Sequence, residues 1–128
     1  MPLRNQELIV ASIERIIFEG GKSNFVILNI SEDYFLQAAA SRGDHAIWCE
    51  AVSNNFIEPE ALLTESQIQH LQQLGWNLPE SEEDNFQVQL AVDSEQRRAA
   101  LADLFMRTAN SVYGVEGFTT EMVHLNLE

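Results

Sequence analysis

"LLTESQIQHLQQLGWNLPESEEDNFQVQLAV", from Leu62 to Val92, is the stretch whose reading decides the fold. Thr64-Glu65-Ser66-Gln67 forms a capping box: the Thr64 hydroxyl can accept from the third helical amide while Gln67 reaches back to the Thr64 amide. Ile68, Leu71 and Leu74 follow at helical spacing and Gly75 supplies a stop, so a short helix spans Thr64 to Leu74. After an acidic loop, "FQVQLAV" alternates Phe86, Val88, Leu90 and Val92 against Gln87, Gln89 and Ala91. That period of two predicts a strand with one face in the core and one polar face.

Working outward, Asn5 to Glu19 carries Leu8, Ile9, Ile13, Ile16 and Ile17 on one stripe, which predicts an amphipathic helix with Asn5 as N-cap and Gly20-Gly21 as its stop. Three strands are expected next: Asn24–Ile30, Asp33–Ala40 and His45–Ser53. Their links, at Ser31-Glu32 and Ser41–Asp44, are too short for parallel crossovers, so the three form an antiparallel meander. Ala38–Ala40 alone is also compatible with helix, but its hairpin-spaced neighbours favour strand. Asn24–Ile30 is apolar almost throughout and predicts cover on both faces or a dimer contact.

Pro59 opens a short turn. Beyond the alternating strand, Asp93 is expected to cap a long helix, with Gln96 in the capping-box position and Leu101, Leu104, Phe105, Thr108 and Val112 on the buried face. Gly114 ends it. The order is α-β-β-β-α-β-α: an α+β domain, a single antiparallel sheet flanked by helices, with a possible extra C-terminal strand. One domain is read over residues 1–114, with 115–128 as a final strand or loose tail, and Leu127-Glu128 carry no weight in this reading.

The 128 residues hold 20 acidic and 7 basic side chains, a net charge of −13. Nucleic acid and anionic membranes both demand a basic face, so the balance argues against either partner and toward basic proteins. No segment reaches the roughly 18 apolar residues of a membrane span, and the opening "MPLRNQELIV" lacks a signal-peptide pattern; a cytoplasmic setting is expected. The single cysteine, Cys49, cannot form an internal disulfide and reads as either a small buried hydrophobe or a reactive thiol without a basic neighbour.

The residues now carry a resemblance. The opening helix, the meander, Phe56-Ile57, Leu63-Thr64-Glu65, Leu74-Gly75-Trp76 with Pro79, Asn85-Phe86 and the long last helix together resemble the type III secretion chaperone-like superfamily, in its bacterial TY-Chap (Tir chaperone and YbjN-like) branch, over Ile9 to Tyr113. The Leu-Gly-Trp, Pro, Asn-Phe spacing is its most specific part. The resemblance implies a twisted antiparallel sheet with flanking helices, frequent homodimerisation, and a protein client held in extended form over apolar grooves. It implies no catalytic residues.

Chemistry adds little. His45, His70 and His124 fall on different elements, and His45 and Cys49 lie about 13 Å apart along an extended strand, too far to share a metal. The acidic run Glu82–Asp84 lacks the alternation and turn glycine of a dedicated calcium loop. No phosphate loop or nucleophile elbow occurs, so no catalytic, metal or cofactor site is expected, and no cofactor. Trp48 and Trp76 each complete the core or anchor a partner. The candidate client contacts are Phe25, Ile27, Trp48 and Trp76; the candidate dimer contacts are Ile68, Leu71 and Leu74. Two other readings stand beside the chaperone: an acidic regulatory or adaptor domain for a basic protein, and an enzyme of unrecognised type.

Overall fold

The computed structural model describes the backbone of residues 2–115 and 120–128, and the side chains of 6–115 and 121–128. Three helices and five strands follow the order α1 (Pro2–Phe18), β1 (Asn24–Asn29), β2 (Phe35–Ala40), β3 (Ala46–Ala51), α2 (Glu65–Leu74), β4 (Phe86–Ala91), α3 (Glu95–Arg107) and β5 (Val123–Asn126). The strands make one sheet in the order β4-β3-β2-β1-β5, antiparallel at each pairing. The expected α+β architecture is present, and the possible extra strand is real: it crosses over to lie beside β1.

The meander forms as its links require. Between β1 and β2 the amides of Ile30 and Ser31 both donate to the Tyr34 carbonyl, at 2.9 and 3.1 Å. Between β2 and β3 the Asp44 carboxylate accepts from the Ser41 amide at 2.8 Å. Ala38–Ala40 is strand, held in register against Val26 to Asn24 on one side. Pro59–Ala61 is a single turn of 3-10 helix.

Period two sorts the side chains. Val26, Leu28, Leu36, Ala38, Ile47, Cys49, Ala51 and Phe86 point to one face and are buried. Ile9, Ile13, Ile16 and Ile17 of α1 and Leu101, Ala102 and Phe105 of α3 close over that face, forming one core. The helices need this contact: the β-branched run in α1 has little intrinsic preference for helix, so burial of its stripe holds it.

Helix ends show both the strength and the limit of local rules. The α2 capping box is complete, Thr64 Oγ1 accepting from the Gln67 amide and Gln67 Oε1 from the Thr64 amide. Gly75 ends the helix at φ +115°, a left-handed conformation that favours glycine. At α1 the helix begins at Pro2, so Asn5 lies within it rather than at its cap, and the Asn5 side chain is outside the described residues. Proline suits a first turn, because its missing amide is one that no helix satisfies there. At α3 the cap is Ser94, whose hydroxyl accepts from the Arg97 amide at 3.1 Å. Asp93 pairs instead with the Arg97 guanidinium at 3.1 Å. With the cap moved by one residue, Gln96 is no longer at a capping-box position. The last turn widens into a π-type turn over Thr108–Val112. No helix among the described residues is long and apolar enough to cross a membrane.

Candidate binding surface

The helices bury one face of the sheet; the alternate side chains form the other. Register assembles them into rows. Gln89 on β4 opposes Trp48 on β3, Trp48 opposes Ala39 on β2, Ala39 opposes Phe25 on β1, and Phe25 opposes Asn126 on β5. The next row runs Gln87, Glu50, Gln37, Ile27 and His124. Trp48 is 42% exposed on a central strand. Phe25 and Ile27 are half-buried, so β1 is covered on its inner face only, not on both. The physical reason is that both long helices carry a single apolar stripe, and both stripes are used on the inner face.

Ala39 shapes the surface. Strands lie 4.7–4.9 Å apart, so Trp48 and Phe25 stand about 10 Å apart with only a methyl group between them. Two aromatic walls over a methyl floor make a trough. Beside it opens a depression of about 340 Å³ lined by Phe25, Gln37, Ala39 and Ser41, with Lys22 and Asp44 among its charged contacts. His124 lies against Phe25, ring centroids 6.2 Å apart. Such a surface offers dispersion and apolar contact with a few polar groups.

The other candidates fall elsewhere. Trp76 is 2% exposed. Its indole donates to Thr108 Oγ1 at 3.0 Å and its ring stacks 6.1 Å from Phe105, so Trp76 is a core residue and offers no surface to a client. Leu71 has no exposure, because α2 lays it into the core where the helix meets the π-type turn. Gln67 Nε2 anchors the same junction, donating to the Val112 carbonyl at 2.7 Å. Ile68 and Leu74 remain half-buried at the surface. The structure therefore brings together Phe25, Ile27 and Trp48, and separates them from Ile68 and Leu74.

A second apolar groove was not foreseen. Leu74, Leu90, Ala91, Ala100, Leu101 and Leu104 line about 400 Å³ between α2, β4 and α3, with Arg97 at its side. Leu104 faces this groove and is only half-buried, where helical spacing had placed it in the core. The groove runs beside the outer edge of β4. There Gln87 exchanges both backbone bonds with Asn77, at 2.9 and 3.2 Å, and alternation turns the amides of Gln89 and Ala91 to the same edge. Only the half-apolar Gln87/Gln89/Ala91 side of β4 hinted at an accessible strand; the groove itself is built from three distant segments.

Titratable groups are placed for structure. Burial pushes the Cys49 thiol well above the usual thiol range. Burial, and then the neighbouring Tyr34, push the Tyr113 phenol up in the same way; the Tyr113 hydroxyl donates to the Val52 carbonyl at 3.3 Å and its ring stacks on Tyr34 at 4.9 Å. In the acidic loop the Asp84 carbonyl accepts from Ser53 Oγ and Asn55 Nδ2, at 2.8 and 3.0 Å, which ties the loop to the turn before α2. Among the described residues no cluster of three or more His, Cys, Asp or Glu is placed to hold a metal ion.

Against this geometry, the family model described as "T3SS (YopN, CesT) and YbjN peptide-binding chaperone 3" (TY-Chap3) matches residues 11–118. No curated protein and no solved structure matches the chain.

Proposed function

The chain belongs to this family of peptide-binding chaperones, and from that membership we propose that it holds an extended segment of a client protein across the outer face of its sheet, in the trough between Trp48 and Phe25. The observation that carries the reading is the exposed Trp48 on a central strand, opposed by Ala39 and followed by Phe25. Large aromatics dominate interface energetics, and here the aromatic lies at the centre of a face that both long helices leave uncovered. Ile27 continues the apolar strip on β1. The protein acts by binding, without catalysis.

Homodimerisation is part of the same proposal, through α2. With Leu71 in the core, Ile68 and Leu74 are the side chains of that helix left to contact a second copy. A bacterial, cytoplasmic setting completes the reading.

The test starts from peptides selected by phage display on the native protein, labelled with fluorescein and titrated by polarisation. Trp48 exposes somewhat under half of its surface, about 100 Å² of a side chain of up to about 250 Å². At about 25 cal/mol per Å² its full burial by a client contributes about 2.5 kcal/mol. Trp48→Gln is therefore expected to weaken binding by at least tenfold with little change in Tm. Equal affinities would remove the trough from consideration. Repeating the titration in 0.5 M salt separates this reading from an acidic adaptor: apolar contact persists, whereas attraction between a basic partner and a surface of net charge −13 is largely screened.

A further inference from the structure

The span matched by the family ends at residue 118, before the last strand begins. β5 lies outside the matched span, and it occupies the β1 edge of the sheet. It has only four residues and one neighbouring strand. Its inward side chains, Val123 and Leu125, oppose Leu28 and Val26 and are only half-buried, while His124 and Asn126 are exposed. The receiving edge, by contrast, is built deep. Asn24 is 1% exposed, and its Nδ2 donates to the carbonyls of Ile16 and Glu19, both at 2.8 Å. Its Oδ1 accepts from two backbone amides, that of Gly21 at 3.0 Å and that of Glu128 at 2.9 Å. The first three bonds orient Oδ1 whether or not a strand arrives; the fourth receives the backbone of whatever lies along β1.

We infer that the β1 edge is a strand-binding site, held in cis by β5, and that an extended client segment with apolar residues at alternate positions replaces it. The resident strand states the chemistry: apolar side chains two apart, small or polar ones between, and a free backbone amide past the strand to meet Asn24. Main-chain pairing supplies affinity and apolar contact at the positions opposite Val26 and Leu28 supplies selectivity, the logic of β-strand addition. The site is separate from the trough of the proposed function, because it uses the backbone of β1 rather than Trp48, and it stands or falls independently.

The probe is a fluorescein-labelled peptide with the sequence of residues 121–128, Glu-Met-Val-His-Leu-Asn-Leu-Glu. The tethered copy competes at an effective concentration on the order of 1 mM, so the native chain is expected to bind the probe weakly. In Leu125→Asp, which sets a carboxylate against Val26 and releases β5, affinity should rise at least tenfold, and a probe with its Val and two Leu residues made adjacent should not bind. A second variant, I27C/H124C, places cysteines at directly opposed positions and locks β5 shut when oxidised; it should exclude the probe until reduced. A folded Leu125→Asp chain that binds no better than the native one overturns the inference. If that variant does not fold, equal binding to oxidised and reduced I27C/H124C overturns it instead.

Discussion

Replacing Thr108 by Val tests whether Trp76 is fixed in the core by a specific bond or by shape alone. The two side chains are nearly isosteric, so packing is preserved. Thr108 Oγ1 accepts from Trp76 Nε1 at 3.0 Å and donates to the Leu104 carbonyl at 2.7 Å, and neither residue reaches solvent appreciably. In Thr108→Val the Leu104 carbonyl keeps the Thr108 position's backbone amide, and losing the hydroxyl's bond back along the helix returns a few tenths of a kcal/mol. The indole N–H has no such substitute. A buried donor left unpaired costs about 1–3 kcal/mol, so the net loss is about 2 kcal/mol. For a chain of 128 residues the unfolding entropy is about 0.27 kcal/mol/K, which turns that loss into a fall in Tm of about 7 °C. Urea unfolding followed by circular dichroism gives the free energy without depending on either tryptophan. The decisive control is Trp76→Phe, which removes the donor: on that background Thr108→Val should cost under about 0.5 kcal/mol, leaving a coupling near 1.5 kcal/mol. If Thr108→Val costs the same on both backgrounds, the bond contributes nothing and Trp76 is held by packing alone.

Three further outcomes are expected. Cys49 is buried with its thiol pushed up in pKa, so a disulfide reagent at pH 8 should leave it unmodified over an hour in native protein and react completely in 6 M guanidinium; rapid native labelling would contradict the burial. Gly75→Ala has open space around the added methyl, so its cost is backbone strain at positive φ alone, about 1–2 kcal/mol by denaturant unfolding; no loss would mean that α2 ends differently. On the proposed α2 dimer, Ile68→Glu should give monomers in light scattering without lowering Tm by more than about 3 °C, whereas Leu71→Glu should unfold the chain by burying a carboxylate; an unchanged mass for Ile68→Glu would exclude α2 as the dimer contact.

What was legible in the sequence is what local physics decides. The Thr64/Gln67 capping box, the stop at Gly75, the hairpin-length links and the Phe86–Ala91 alternation each appear where their spacing places them. Asp93 and Ser94 are both good caps by residue type, and local rules do not choose between them; Ser94 takes the cap and Asp93 pairs with Arg97 instead. The two tryptophans show the limit most clearly. Each follows residues that suit either burial or display, but Trp76 meets a hydroxyl 32 positions away, while Trp48 meets Ala39 across a strand pair. For Trp76 the deciding partner lies outside any local window, and for Trp48 the decision rests on which face of the sheet the distant helices α1 and α3 cover. The groove of Leu74, Leu90 and Leu104 was invisible for the same reason, and so was the crossing that brings β5 to β1.

Asn24 joins the end of the first helix to the close of the last strand, and this has a consequence for the order of synthesis. A chain made from its N-terminus has α1 and the meander available early, yet the β1 edge stays unpaired until residues 123–126 have emerged. At about 5–20 residues per second, the roughly 95 residues between β1 and β5 take about 5–20 s to make. Through that interval the nascent protein carries an open strand edge with its Asn24 acceptor already oriented, the state most receptive to another extended chain and most exposed to mispairing. The last strand therefore sets a clock on when the β1 edge of the sheet is closed.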